Sequence, residues 1–349
     1  MNLQKLFGIE LSIIQAPMAG VQGSALAIAV TNAGGLGSLP CGMLSTDAMR
    51  KELTAIKTKT TRPFNVNFFS HTQPEPSSTR EVAWRTALRP YFNEYGIDLN
   101  TISVGPGRLP FSAEAAEVLA EFKPAVVSFH YGLPEQNLLE RVRKWGARIL
   151  SSATTVNEAR WLEAHGVDAI IAQGLEAGGH RGIFLSEDLN TQIGTFSLVP
   201  QIVEAVKIPV IAAGGIADAK GITAAMMLGA AGVQVGTAYM LCTEATTSAL
   251  HRAAIKSSAA NVTALTNLFS GRPARGIVNR LMKELGPMSL ASPAFPLASA
   301  ALAPLRAKAE SLNSSEFSPL WAGQNVSGCK EVSAAALTSE LAMGLANTR

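Results

Sequence analysis

Gln173-Gly174-Leu175-Glu176-Ala177-Gly178-Gly179-His180-Arg181-Gly182 follows directly on the apolar run Val167-Asp168-Ala169-Ile170-Ile171-Ala172. A short, nearly continuous apolar run closed by glycines reads as a buried strand that ends in a loop. Gly178 and Gly179 let the main chain approach a bound group where a Cβ would collide, and His180 is delivered beside them. The design recurs downstream in Ile208-Pro209-Val210-Ile211-Ala212-Ala213-Gly214-Gly215-Ile216, and again in Val233-Gln234-Val235-Gly236-Thr237. Three such loops in chain order point to one shared ligand site.

Working outward, strand-like runs occupy residues 13–16, 35–39, 64–68, 125–129, 148–152, 168–173, 209–213 and 232–236. Helical stretches are expected at 24–32, 45–56, 134–145, 156–165, 198–206 and 219–228. Strands that are apolar throughout are covered on both faces, and βα alternation implies a parallel sheet. Eight βα units in 349 residues favour a closed barrel, so the expected fold class is α/β, a (β/α)8 TIM barrel. Two segments break the repeat. Residues 71–122, with Pro74, Pro76 and a helix over 80–95, are too long for a simple crossover and read as an insertion after the third strand. Residues 270–349, helical but punctuated by Pro273, Pro287, Pro293, Pro296 and Pro304, read as a cap or lid over the top of the barrel. The barrel itself is then expected over 1–70 and 123–269.

Composition narrows the function classes. A content of 47% hydrophobic and 16% charged residues describes an ordinary globular chain. A net charge of +3 and 6% aromatics argue against nucleic acid as a partner. Cys41, Cys242 and Cys329 are isolated and odd in number, so neither a disulfide framework nor a metal site is expected, and a cytoplasmic location is. The N-terminus lacks the apolar core and cleavage site of a signal peptide. Residues 222–242 are uncharged over the length of a membrane span, but Gly229, Gly232, Gln234 and Gly236 divide them. A buried helix followed by a buried strand is expected there, not a membrane segment.

In such a barrel the strands' C-terminal ends form the active face, and phosphate groups sit at the last two βα loops. Gly214-Gly215 and Gly236-Thr237 fall there, with a helix N-terminus expected near 217–218 to help hold an anion. His180 is placed to act as a general base or to bind an anion. His130, closing Val126-Val127-Ser128-Phe129-His130-Tyr131-Gly132, faces the same cavity. His71, His165 and His251 read as ordinary histidines. Asn67 and Gln173 end apolar runs with amides that suit the edge of a flavin or base, or else satisfy loop backbone. Met18, in Gln15-Ala16-Pro17-Met18-Ala19-Gly20, offers a polarisable side chain to a planar ring or to packing.

These pieces resemble the nitronate monooxygenase family, formerly the 2-nitropropane dioxygenases, which are FMN-dependent TIM-barrel flavoproteins. Further matches lie in Asn65-Val66-Asn67-Phe68-Phe69 and Leu320-Trp321-Ala322-Gly323-Gln324, so the likeness runs nearly end to end. Gly178–Gly182 combined with Ser128–Gly132 is similar to class I of that family. The resemblance implies FMN against Met18, Asn67, Gln173, Gly178, Gly179, Gly215, Gln234, Val235, Gly236 and Thr237. It implies His180 as the catalytic histidine and His130 as the second active-site histidine. The implied reaction is oxidation of alkyl nitronates, propionate 3-nitronate among them, by O2 to a carbonyl compound and nitrite, without NAD(P)H. A homodimer is one expected assembly. One departure stands out: the resemblance implies tyrosines and a lysine near a substrate carboxylate, whereas Pro293-Ala294-Phe295-Pro296-Leu297-Ala298-Ser299-Ala300-Ala301-Leu302 has Phe295 and no lysine. Arg181, Arg306 and Lys308 are the candidate replacements. The rival readings are an NAD(P)H-dependent FMN reductase of the enoyl-ACP or quinone reductase type on the same barrel, against which His130 argues, and a non-catalytic barrel binding a phosphate ligand.

Overall fold

The computed structural model describes residues 2–102 and 107–346; residues 1, 103–106 and 347–349, which fall in the expected barrel, insertion and cap, lie outside the described residues. The strands in chain order are β1 (Ile13–Gln15), β2 (Ser38–Pro40), β3 (Asn65–Phe69), β4 (Val126–His130), β5 (Arg148–Ala153), β6 (Ala169–Gln173), β7 (Gly179–His180), β8 (Val210–Ala213), β9 (Gly232–Val235), β10 (Thr263–Thr266) and β11 (Ala274–Ile277). Eight of them form one parallel sheet in the order β1-β9-β8-β6-β5-β4-β3-β2. Its two ends meet through a bridge between Ile14 and Leu36. There the Leu36 amide donates to Ile13 O at 2.9 Å and the Gln15 amide donates to Leu36 O at 3.0 Å. The sheet is therefore a barrel, and all eight expected strands are in it.

Strand alternation sorts the side chains into three environments. Val66, Val127, Ile149, Ile170, Val210 and Val233 point outward into the core shared with the helices. Their neighbours Leu36, Val126, Leu150, Ala169 and Ile211 point inward and cluster with Leu3 and Phe7 of α1 (Leu3–Phe7), which plugs that end of the barrel. Further along the same strands the inward positions turn polar, as Asn67, Ser128, His130, Ser152 and Gln173. An apolar floor beneath a polar rim fixes which end of the barrel can hold a polar ligand.

Around the barrel run α2 (Ser24–Asn32), α3 (Thr46–Lys59), α5 (Ala113–Phe122), α6 (Gln136–Arg143), α7 (Val156–Ala164), α8 (Thr195–Ala205) and α9 (Ala219–Met227). α3 shows why such helices start where they do. The Ser45 hydroxyl accepts from the Ala48 amide, Asp47 lies in the first turn, and Lys57 and Lys59 lie in the last. The expected 71–122 insertion divides, because α5 takes the regular place between α3 and α6 and buries Ala116, Val118 and Leu119 in the main core. The expected cap divides too. α13 (Ala334–Ala346) packs against α2 and α9, and its Leu337 and Leu341 join the main core. The uncharged stretch 222–242 is helix, then strand, inside this wall, and no helix among the described residues is long and apolar enough to cross a membrane.

What remains of both segments builds a second core. α4 (Ser78–Glu94) contributes Trp84, Leu88 and Phe92, which meet Leu281 of α11 (Arg280–Leu285), Leu305 of α12 (Ala298–Ser311) and Phe317. Trp84 Nε1 donates to Ala298 O at 3.2 Å, and Arg280 pairs with Glu94 at 2.7 Å. We propose that 71–112 and about 263–330 form one subdomain beside the barrel, with 334–346 belonging to the barrel. Phe92→Ala, which empties the middle of this second core, should destabilise the protein by about 3–5 kcal/mol, read as a lower urea midpoint.

Candidate active site

A cavity opens at the polar rim, bordered by the ends of β4 and β5, by the loops after β1, β2, β3, β6, β8 and β9, and by residues 321–325. Its empty space is about 1370 Å³, including the part open to solvent. Met18, Asn67, Gln173, Gly178, Gly179, Gly215, Gln234, Gly236, Thr237, His130 and His180 all line it. Val235 does not: its side chain turns outward into the helix-facing core, and its carbonyl accepts from the Ala16 amide at 2.8 Å. Strand alternation explains the difference, since Gln234 and Gly236 face in and the residue between them must face out.

The loop carrying His180 is pinned from three directions. β7 pairs with β11, Ala274 standing opposite His180 and Arg275 opposite Gly179. The carbonyl of His180 accepts from Gln173 Nε2 at 2.9 Å and lies 3.1 Å from His130 Nε2. A carbonyl only accepts, so His130 carries its proton on Nε2, and its Nδ1 accepts from the Ser152 hydroxyl at 3.1 Å. Both nitrogens of His130 are therefore spent on holding the loop. Gln173 is spent likewise, its Oε1 accepting from the Gly182 amide at 2.7 Å. Gln173 thus supports the loop, and its side chain also lines the cavity. Asn67 differs: its Nδ2 donates to Ser128, leaving its Oδ1 toward the cavity.

His180 keeps one nitrogen free. Nε2 lies 2.8 Å from Ser270 Oγ, whose own proton can go to Arg272 O at 3.2 Å; in the tautomer this arrangement accommodates, Nε2–H donates and Nδ1 presents a lone pair. No described residue binds Nδ1. Phe69, Phe295 and Trp321 surround the ring at centroid distances of 6.0, 5.4 and 5.5 Å. Burial in this aromatic wall lowers the pKa of His180 well below the ordinary histidine value, and the cations Arg108 and Arg272 lower it further. His130 is held down to about 4, chiefly by burial. Both imidazoles are neutral at neutral pH.

The glycine loops make a cradle suited to a flat, phosphate-bearing group. Gly179 has φ +72° and nothing within 4 Å of where a Cβ would stand, which leaves a bare main-chain surface. At Gly178 a Cβ would sit 2.5 Å from the main chain of Ala322 and Gly323, so only glycine lets that segment close over the loop. Gln234 Oε1 is buried and accepts from no described residue, an acceptor that a ligand N–H would satisfy. The expected helix N-terminus plays no such part, because Asp218 caps α9 with its own carboxylate, 2.8 Å from the Gly221 amide. None of the three candidate carboxylate anchors reaches the cavity. Arg181 is buried on Gln173 O, Gly174 O and Gln192; Arg306 pairs with Glu310 on the surface; and Lys308 is exposed. Ser152, Ser270 and Arg108, by contrast, reach the site with no local motif to mark them, and Trp321 comes from the Leu320–Gln324 piece without having been assigned to the site.

Fold and mouth together define a TIM-barrel enzyme with its site at the C-terminal ends of the strands. It is an oxidoreductase of known kind: the chain belongs to the nitronate monooxygenase family, whose sequence model matches residues 1–344. It is 42% identical over 348 residues to a nitronate monooxygenase of Paraburkholderia phytofirmans, covering 97% of this chain and 93% of that one. It is 41% identical to a nitronate monooxygenase of Pseudomonas aeruginosa, covering 97% of each. Among solved structures, a nitroalkane oxidase from Streptomyces ansochromogenes superposes with a TM-score of 0.90 at 39% identity, covering 99% of this chain and 98% of that one. FabK from Thermotoga maritima superposes at 0.73 with 27% identity, covering 99% and 96%. Family membership implies a flavin cofactor and a small-molecule substrate.

Burial also ties stability to pH. His71, His130 and His251 are each lowered to about 4, chiefly by burial, against about 6.5 for an unperturbed histidine. Between these values the unfolded chain binds more protons than the folded one, so stability is full above about pH 6.5 and is lost as pH falls toward 4. Near pH 5, unfolding should take up roughly three protons through these residues, measurable as the slope of unfolding free energy against pH.

Proposed function

We propose that this protein binds FMN and oxidises alkyl nitronates with O2 to a carbonyl compound and nitrite, without NAD(P)H. The observation that carries the reading is the neutral His180, its Nδ1 open to the cavity beside the bare Gly178–Gly179 surface. FMN would lie against Met18, Asn67 and the 178–179 loop, with its phosphate toward Gly215, Gly236 and Thr237, and would supply the redox chemistry. The protein's own part is placement. Asn67 Oδ1 and Gln234 Oε1 offer acceptors to the cofactor's edge, and the aromatic wall of Phe69, Phe295 and Trp321 keeps water from the substrate.

His180 serves two kinds of substrate differently. A nitronate arrives as an anion, and His180 has only to orient it. A neutral nitroalkane must first lose its α-proton, which Nδ1 accepts while Ser270 steadies the opposite nitrogen. His130 acts through the loop, as a positioning residue. The similarity to a nitroalkane oxidase structure supports this reading, and that neighbour superposes better than FabK does. The reductase reading has less behind it, and NAD(P)H dependence is the observation that would restore it.

Oxygen uptake with stoichiometric nitrite release is expected from the flavin-loaded protein given a nitronate and no NAD(P)H; a flavin-loaded sample that consumes no oxygen would sink the reading. His180→Asn should lower turnover of nitroethane by about 10²–10⁴-fold and turnover of ethyl nitronate by at least tenfold less, followed as nitrite release. Equal losses on both substrates would remove the base role.

A further inference from the structure

Arg108 reaches the cavity with its charge unanswered. The residue lines the site, its Nη1 is buried, and its side chain makes no hydrogen bond and no ion pair with any described residue. It stands over the ring of Phe295 at 5.8 Å, and that ring lies 5.4 Å from His180. The guanidinium is thus beside the reacting end of the cavity but separated from it by one phenyl ring. The same wall holds more unspent polarity. Arg272 lies 4.2 Å over the ring of Tyr131, with its guanidinium donating to Ile183 O at 3.2 Å. The Tyr131 hydroxyl beside Arg272 and the His71 ring beside the Arg108 main chain are buried without a well-formed hydrogen bond. His71 packs 4.8 Å from Phe295. The cluster contains two cations and no carboxylate.

An uncompensated guanidinium in a low-dielectric pocket is costly, and a bound anion relieves that cost through charge-assisted, often bidentate hydrogen bonds. We propose that Arg108 is a specificity-determining residue that receives a negative group on the substrate's tail, so that the cavity favours nitronates carrying a carboxylate over those with a plain alkyl chain. The inference rests on the nitronate reading above and narrows it. It also accounts for the apolar stretch 293–302, because the anchor comes from a different part of the chain, the segment after β3, which packs against Phe295 of that stretch.

A carboxylate has the planar shape and charge of a nitronate, so succinate mimics a carboxylated nitronate and butyrate a plain one. Isothermal titration of the flavin-loaded protein with each ligand reads the anchor without turnover. The wild type should bind succinate at least about tenfold more tightly than butyrate. Arg108→Met should bring that ratio close to one, and Arg108→Lys should keep part of it. Arg108→Gln gives the same readout if the methionine variant fails to fold or to hold flavin. A ratio near one in the wild type, or a ratio untouched by Arg108→Met and Arg108→Gln, would overturn the assignment. Failure to release nitrite from any nitronate would instead strike at the proposed reaction and leave the binding ratio standing.

Discussion

The grip on the carbonyl of His180 is the constraint on which the site depends. Gln173 and His130 both donate to that one oxygen, β11 pairs with the same residue from the other side, and the side chain alone is left free to face the cavity. Main chain fixed this tightly sets the imidazole against Phe295 and Trp321 with little freedom to turn. Preorganisation of this kind is how an enzyme spends few of its interactions on the ground state.

The grip joins two parts of the molecule. Gln173 and His130 belong to barrel strands, whereas β11, Ser270 and Trp321 come from the chain that leaves the barrel after β9. The site lies where the barrel meets the segments proposed above as a subdomain, and clefts between such parts commonly hold ligands. Its electrostatics follow from that meeting: the buried imidazoles stay neutral, while Arg108 and Arg272 bring positive charge from the outer part without a carboxylate to cancel it.

The barrel was legible because glycine-closed apolar runs at regular spacing have few other solutions. The cavity-lining positions were legible for the same reason, since the inward set at each strand end follows from alternation, which turns Val235 outward between Gln234 and Gly236. The role of His130 was harder to see, because what it does depends on a carbonyl fifty positions away in the chain. Arg108 and Ser270 carry no local signature at all, and only tertiary packing brings them to His180. The expected insertion and cap went astray for a related reason: α5 and α13 look like any other amphipathic helix, and their place in the wall is decided by which slots the barrel leaves open.

The slot filled by α13 has a consequence for how the protein is made. This helix packs between α2, far earlier in the sequence, and α9, and Thr223 donates to Gly344 O across that joint at 2.9 Å. During synthesis the sides of α2 and α9 that α13 covers face solvent until residues 334–346 have left the ribosome. A nascent chain with such a long wait exposes surface that invites aggregation and chaperone binding. The wall of the barrel is thus completed only after α13 has emerged, long after its other helices.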